Sequence, residues 1–234
     1  IDNEQKIINI FKDDKDFDKA SLILINAINN NENICILGDY DVDGACSTSL
    51  LVRYLNYINQ KHFFYIPDRN KDGYGASKKL FQKLILKKPK LIIMVDCGST
   101  SNDAIEYLNK NNIKSIIIDH HEINKPYPKS NAIINPKKEN IKKENSLLCA
   151  TALTYFFIEI IIKKTKSNFK ISNFLIYVLL ATICDVMPLR KINKIIAHNT
   201  IDNFKIQNNL ALNHIFEQFN LKKKLTIDDL GFLI

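Results

Sequence analysis

Three times within the first 120 residues a run of apolar side chains stops abruptly at carboxylates, and this recurrence restricts the folds open to the chain. Ile34-Cys35-Ile36-Leu37 leads into Gly38-Asp39-Tyr40-Asp41-Val42-Asp43-Gly44, and Leu91-Ile92-Ile93-Met94-Val95 leads into Asp96-Cys97-Gly98. Ser115-Ile116-Ile117-Ile118 leads into Asp119-His120-His121-Glu122. The runs are continuous rather than alternating, as expected of strands buried on both faces. Helical patterns separate them; after the first, Leu50, Leu51, Tyr54, Leu55 and Ile58 fall on one face. This predicts an α/β fold, a parallel sheet flanked by helices, with an all-helical segment after it. Ligands of such sheets collect at the carboxyl ends of the strands. That rule sets Asp39, Asp41, Asp43, Asp96, Asp119, His120 and His121 along one rim.

Taken in order, residues 1–31 read as two helices, the second from Phe17 to Ile28 with Ala20, Ile23, Leu24, Ala27 and Ile28 as its stripe. A helix follows the acidic turn to about Gln60, and Phe63–Ile66 is the second strand, closed by Pro67-Asp68-Arg69. Gly73-Tyr74-Gly75 is a loop, and Ser77 caps a helix reaching Leu86. Thr100 or Ser101 caps the next helix, and Ala132-Ile133-Ile134 is a short strand inside a Pro- and Lys-rich connection. Helices are expected over Leu147–Lys163, Ile171–Cys184, 192–206 and 209–218, and the run Leu230–Ile234 has no closing element. We therefore expect N-terminal helices at 1–31, an α/β domain at 32–190, and a helical connector at 191–234 in a chain that stops mid-protein.

In extended backbone, residues two apart point the same way, so Asp39, Asp41 and Asp43 crowd one side. Carboxylates so placed repel unless a cation neutralises them, and oxygen-rich clusters suit hard divalent ions. Two other readings of the string fail on spacing. An EF-hand loop counted from Asp39 needs Glu at its twelfth position, where Leu50 stands; a phosphate loop needs Gly at 43 and Lys at 44, where Asp and Gly stand. A merely solvated acidic turn does not account for its place directly behind a buried strand.

The net charge of +8 favours a polyanionic partner, although short lysine clusters such as Lys222-Lys223-Lys224 read singly as solvated surface. Five cysteines without a C-x-x-C pair argue against a disulfide framework or zinc knuckle and for a reducing, cytoplasmic setting. The apolar run Phe174–Cys184 is too short to span a bilayer, so no membrane partner is expected.

Asp39-x-Asp41-x-Asp43-Gly44, Val95-Asp96, Asp119-His120-His121 and the late Asp185 together resemble the signature motifs of the DHH phosphoesterase superfamily. Pro67-Asp68-Arg69 with Gly73-Tyr74-Gly75, Asn135-Pro136 and Ala181–Leu189 bring the resemblance closer to its RecJ-type single-strand-specific 5′→3′ exonucleases. The resemblance implies two divalent ions, usually Mn²⁺ with Mg²⁺ also open, held by Asp41, Asp43, Asp96, His120 and Asp185, with Asp96 bridging. It gives His121 the scissile phosphate, Asp39 and Asp119 a supporting role, and Arg69, Gly73, Tyr74 and Gly75 contact with substrate. It implies hydrolysis of single-stranded DNA to nucleotides in repair and recombination, alongside a single-strand-binding protein or a helicase. Two further readings accompany it: a hydrolase of oligoribonucleotides or cyclic dinucleotides, and a non-catalytic single-strand-binding relative. Many superfamily members carry His where this chain has Leu37, which implies a poorer shell for one ion. RecJ-like enzymes also carry a further substrate-binding domain and an OB-fold beyond the region seen here.

Overall fold

The computed structural model describes residues 7–72, 75–138, 146–206, 209–219 and 223–232. Five parallel strands form one sheet: β1 (Ile34–Gly38), β2 (His62–Tyr65), β3 (Leu91–Val95), β4 (Lys114–Ile118) and β5 (Ala132–Ile134), in the order β2-β1-β3-β4-β5. Ile34 pairs with His62 on one side and Leu91 on the other, and the registers run on through Val95↔Ile118 and Ile118↔Ile134.

The period of two along each strand divides the core. Ile34, Ile36, Ile93, Val95, Ile116, Ile118 and Ile134 face one layer, whose helices are α1 (Lys15–Asn29), α2 (Val42–Tyr57) and α5 (Ala150–Thr165). Cys35, Leu37, Ile92, Met94, Ile117 and Ile133 face the other, covered by α3 (Lys78–Leu84) and α4 (Asn102–Lys110). Beyond the first layer lie α6 (Leu175–Cys184), α7 (Lys191–Asn203), α8 (Leu210–Gln218) and α9 (Ile227–Phe232), with a smaller core of Ile176, Leu179, Ala197, Leu212, Phe216 and Leu230. Among the described residues no helix is long and apolar enough to cross a membrane.

The α/β class and the parallel sheet agree with the sequence reading. Of the two helices expected before residue 31, the described part of the first, residues 7–13, is a loop and turn: Asn9, buried, bonds to Phe156 O and Phe11 N, and Phe11 stacks on Phe17. These tertiary contacts hold the segment without a helical ladder. The helix expected over Ile171–Cys184 divides into a 3₁₀ turn, Ile171–Phe174, and α6. Ser77 caps α3 as expected, accepting from Leu80 N at 3.2 Å, whereas Ser101 starts α4 without a side-chain cap bond. Leu230, Gly231 and Phe232 of the terminal apolar run belong to α9, and residues 233 and 234 lie outside the described residues. Cys35, Cys46, Cys97 and Cys149 are buried free thiols, while Cys184 is exposed.

Strand order decides where a ligand can sit. In this doubly wound order the chain leaves β1 in one direction and β3 in the other, which opens a crevice between their carboxyl ends. Asp39, Asp41 and Asp43 follow β1, and Asp96 follows β3.

Candidate metal centre

The β1–α2 connection is fixed by hydrogen bonds to its own carboxylates. Asp39 Oδ1 accepts from Tyr40 N at 2.8 Å, and Asp41, the N-cap of α2, accepts from Gly44 N at 2.9 Å. Helix and strand meet here backbone to backbone: a Cβ at Gly44 would lie 2.4 Å from Asp39 O and 2.6 Å from Asp39 N.

Asp43, already inside α2, points at another helix. Its Oδ2 accepts from Ala150 N at 2.7 Å and its Oδ1 from Thr151 N at 2.8 Å, while Thr151 Oγ1 donates to Asp43 O at 3.0 Å. Cys149 makes no side-chain cap bond at the start of α5. Asp43 supplies that cap from across the fold, with its negative charge on the positive end of the helix. The sequence reading missed this function of Asp43; the one local signal was a helix opening without a capping residue.

Asp96 leaves β3 in the left-handed region, φ 60°, a conformation that Asp and Asn tolerate better than most residues. The side chain is wholly buried, and neither carboxylate oxygen has a hydrogen-bond partner. Burial first, then the charges of Asp43 and Asp41, push its carboxyl up to about 11 in the absence of a cation.

Asp119 and its two following histidines continue the rim. Asp119 Oδ1 accepts from His120 N at 2.8 Å, from His121 N at 3.1 Å and from His121 Nδ1 at 2.8 Å, while Oδ2 accepts from Ser99 N at 3.0 Å. Burial works against ionising Asp119, but the His121 and Ser99 hydrogen bonds outweigh it and hold the carboxyl well below its ordinary range. The same bond raises the His121 imidazole above its ordinary value. Asn135, buried at the end of β5, donates to Ser99 Oγ at 2.8 Å and to His121 O at 2.9 Å, tying the three loops together. Neither Ser99 nor Asn135 had been assigned a role from sequence.

His120 turns inward. Its Nε2 lies 3.3 Å from Asp96 Oδ1, 3.4 Å from Asp185 Oδ2 and 3.6 Å from Asp43 Oδ2. These separations exceed ordinary N–H···O lengths, and one N–H cannot serve three acceptors. Asp185 arrives as the C-cap of α6, its carboxyl raised by partial burial despite the nearness of His120. Three overlapping sets each bring one ligand atom per residue within 4.8 Å: Asp39, Asp41 and Asp96; Asp96, His120 and His121; Asp43, His120 and Asp185. Buried, unpartnered oxygens and nitrogens that converge with excess negative charge fit divalent cations. Leu37 is buried in the other core layer and supplies no donor.

The other expected contacts fall at the edge. The Arg69 guanidinium sits 5.4 Å over the Tyr40 ring, between Asp39 and Asp41 in sequence. Gly75 has φ 68°, which favours glycine; Gly73 and Tyr74 lie outside the described residues. The segment carrying Arg69 is anchored by Asp72, which accepts from Tyr65 Oη at 2.6 Å, Asp68 N at 3.2 Å and Lys83 Nζ at 2.7 Å. The Lys83 and Tyr65 bonds draw the Asp72 carboxyl down to about 2. A carboxyl depressed on folding gives support that is complete above its unfolded pKa, near 4, and lost as pH falls towards 2. The protection factor of the Asp68 amide should therefore fall as pH drops between these values, and in Asp72→Asn it should be low already at neutral pH. A flat, high protection factor across the range in both proteins would contradict this anchor.

A family model, DHH family, N-terminal domain, matches residues 33–183. The single-stranded-DNA-specific exonuclease RecJ of Haemophilus influenzae is 29% identical over 230 residues, covering 93% of this chain and 40% of that protein. RecJ of Bacillus subtilis is 29% identical over 191 residues, covering 82% of this chain and 24% of that protein. The chain thus spans two-fifths or less of the length of these curated relatives. A crystal structure of exonuclease RecJ bound to manganese superposes with a TM-score of 0.82 at 23% identity, over 94% of this chain and 55% of that one. This last likeness establishes the shared fold.

Proposed function

We propose that this chain, which belongs to the DHH family, is the catalytic core of a divalent-cation-dependent phosphodiesterase that degrades single-stranded DNA from its 5′ end to nucleotides, in repair and recombination. Asp96 carries the reading: a fully buried carboxylate with both oxygens unpartnered, set between two histidines and the acidic turn of β1. The choice of single-stranded DNA is supported by the names of the curated relatives, and that of manganese by the ion in the RecJ structure.

In this reading Asp41, Asp43, Asp96, His120 and Asp185 would hold two divalent ions, preferably Mn²⁺. Bound there, the ions would supply positive charge to the phosphoryl oxygens and lower the pKa of a water. The chain's own groups do the positioning. The backbone N–H groups of α5 fix both oxygens of Asp43, leaving each a second lone pair for a ligand bond. Asp119 accepts the Nδ1–H hydrogen bond of His121 and favours the charged ring, the form in which Nε2–H can donate to a phosphate oxygen. Ser99 and Asn135 hold Asp119 and the His121 backbone in register. Arg69, stacked on Tyr40, and Gly75 receive the strand at the rim; Gly73 and Tyr74, outside the described residues, are proposed to contact it as well.

The test is nucleotide release from a 5′-phosphorylated single-stranded oligonucleotide with Mn²⁺, compared with the same sequence as duplex and with a cyclic dinucleotide. Ion-dependent turnover of the single strand, with the duplex spared, is the expected result. Preferential turnover of the cyclic dinucleotide would move the assignment to small substrates, and no ion-dependent turnover of any of them would overturn it.

A further inference from the structure

Helix α2 starts at the candidate centre and α6 ends there, and their far ends meet at a second cavity. From Asp41 to Arg53 along α2 is about 18 Å at 1.5 Å per residue. At that distance a groove of about 910 Å³ opens between α2, the start of α6, the end of α7 and the start of α8. Arg53 and Lys205 line it, and none of its described lining residues is acidic.

The groove has the parts of a planar-anion site. The Arg53 guanidinium carbon lies 5.3 Å from the Phe174 ring centre and 5.5 Å from that of Tyr177, and Arg53 Nη2 donates to Tyr177 Oη at 3.1 Å. Phe174 stacks on Tyr177 at 6.1 Å and 9°, so rings and guanidinium form one supported platform. Thr200, also on the lining, is 4% exposed, yet its Oγ1 has no hydrogen-bond partner. The Oγ1 itself is covered as the side chain stands; a buried hydroxyl left unpaired is costly in a folded protein, and a χ1 turn towards the groove would let a polar ligand satisfy it. Aromatic and arginine planes beside unopposed cations are the combination that holds a base and its phosphate.

We propose that this groove is a second binding site, remote from the metal centre, for a nucleoside phosphate. The phosphate meets Arg53 and Lys205, the base lies on the ring platform, and a polar group of the sugar or base pairs with Thr200 Oγ1. The choice of nucleotide over other planar anions rests on the phosphodiesterase reading. The same chemistry is offered by a nucleotide within a bound strand and by a free mononucleotide.

The test is binding of a labelled oligothymidylate, by anisotropy, and of dAMP, by calorimetry, to the chain in EDTA, so that the metal centre's ions do not contribute. Arg53→Ala is expected to weaken binding at least about tenfold, the scale of one lost charged or stacking contact. Thr200→Val should weaken it while leaving thermal stability equal or higher, because it removes an unpaired hydroxyl; a purely structural Thr200 would leave binding unchanged. Neither variant should alter Mn²⁺-dependent cleavage of a dinucleotide, which is too short to reach both sites. Weakened oligothymidylate binding with no dAMP binding supports the strand as the source, and weakened dAMP binding supports the free nucleotide. Parental binding of both probes by both variants would overturn the site, whatever the outcome of the cleavage assay.

Discussion

Asp96→Asn should abolish the ion response of this protein without harming its fold. Asn tolerates the left-handed backbone at this position, and the swap keeps the shape of the side chain. It replaces a carboxyl that burial and the charges of Asp43 and Asp41 keep protonated when no cation is bound by a neutral amide of the same shape, so the metal-free variant should melt at or above the parent temperature. The parent, given Mn²⁺ at about a hundred times its dissociation constant, gains about 2.7 kcal/mol. In a chain of this size that is a rise of roughly 5–10 °C in Tm. In the variant that rise should vanish, and hydrolysis should drop more than about 100-fold, the upper end for residues that only support a ligand. The two readouts are independent, one being thermal and ion-dependent, the other kinetic. Parental turnover together with a parental ion-induced shift would remove Asp96 from the centre and the proposed function with it.

Gly44→Ala should be strongly destabilising, against the usual preference. Alanine normally favours a helix over glycine by about 0.5–1 kcal/mol. At this position the added Cβ would meet three backbone atoms of Asp39 at 2.4 to 2.7 Å, none of which can rotate away. Relief requires the first turn of α2 to part from the β1 loop, an overpacking cost of about 3 kcal/mol. The melting temperature should fall by roughly 6–12 °C. Because that movement would displace Asp39, Asp41 and Asp43 together, the ion-induced rise should shrink as well. A variant that melts higher than its parent, as helix preference alone would have it, would show that the close approach is not required.

Some of this was legible in the sequence because it is local. A strand buried on both faces is a continuous apolar run, and β3 and β5 begin and end where those runs do. The carboxylates and imidazoles could be enumerated as well, since each stands directly behind such a run. The turn at residues 7–13 was misread as helix because its spacing is helical, while Asn9 and Phe11 spend their bonds and contacts on Phe156 and Phe17.

The sequence by itself determined the class of the sheet, the position of its central strands to within a residue and the set of candidate donor residues. Only the tertiary structure decided that β1 and β3 lie side by side with their chains leaving in opposite directions, which makes a crevice of their ends. It alone turned Asp43 onto the start of a helix 107 residues further along, and carried Asp185 to within 3.4 Å of His120. The reason is the range of the forces that write each feature. Periodicity records how one segment meets an apolar layer, whereas convergence of charges depends on which layers stack and in what order, which no single segment encodes.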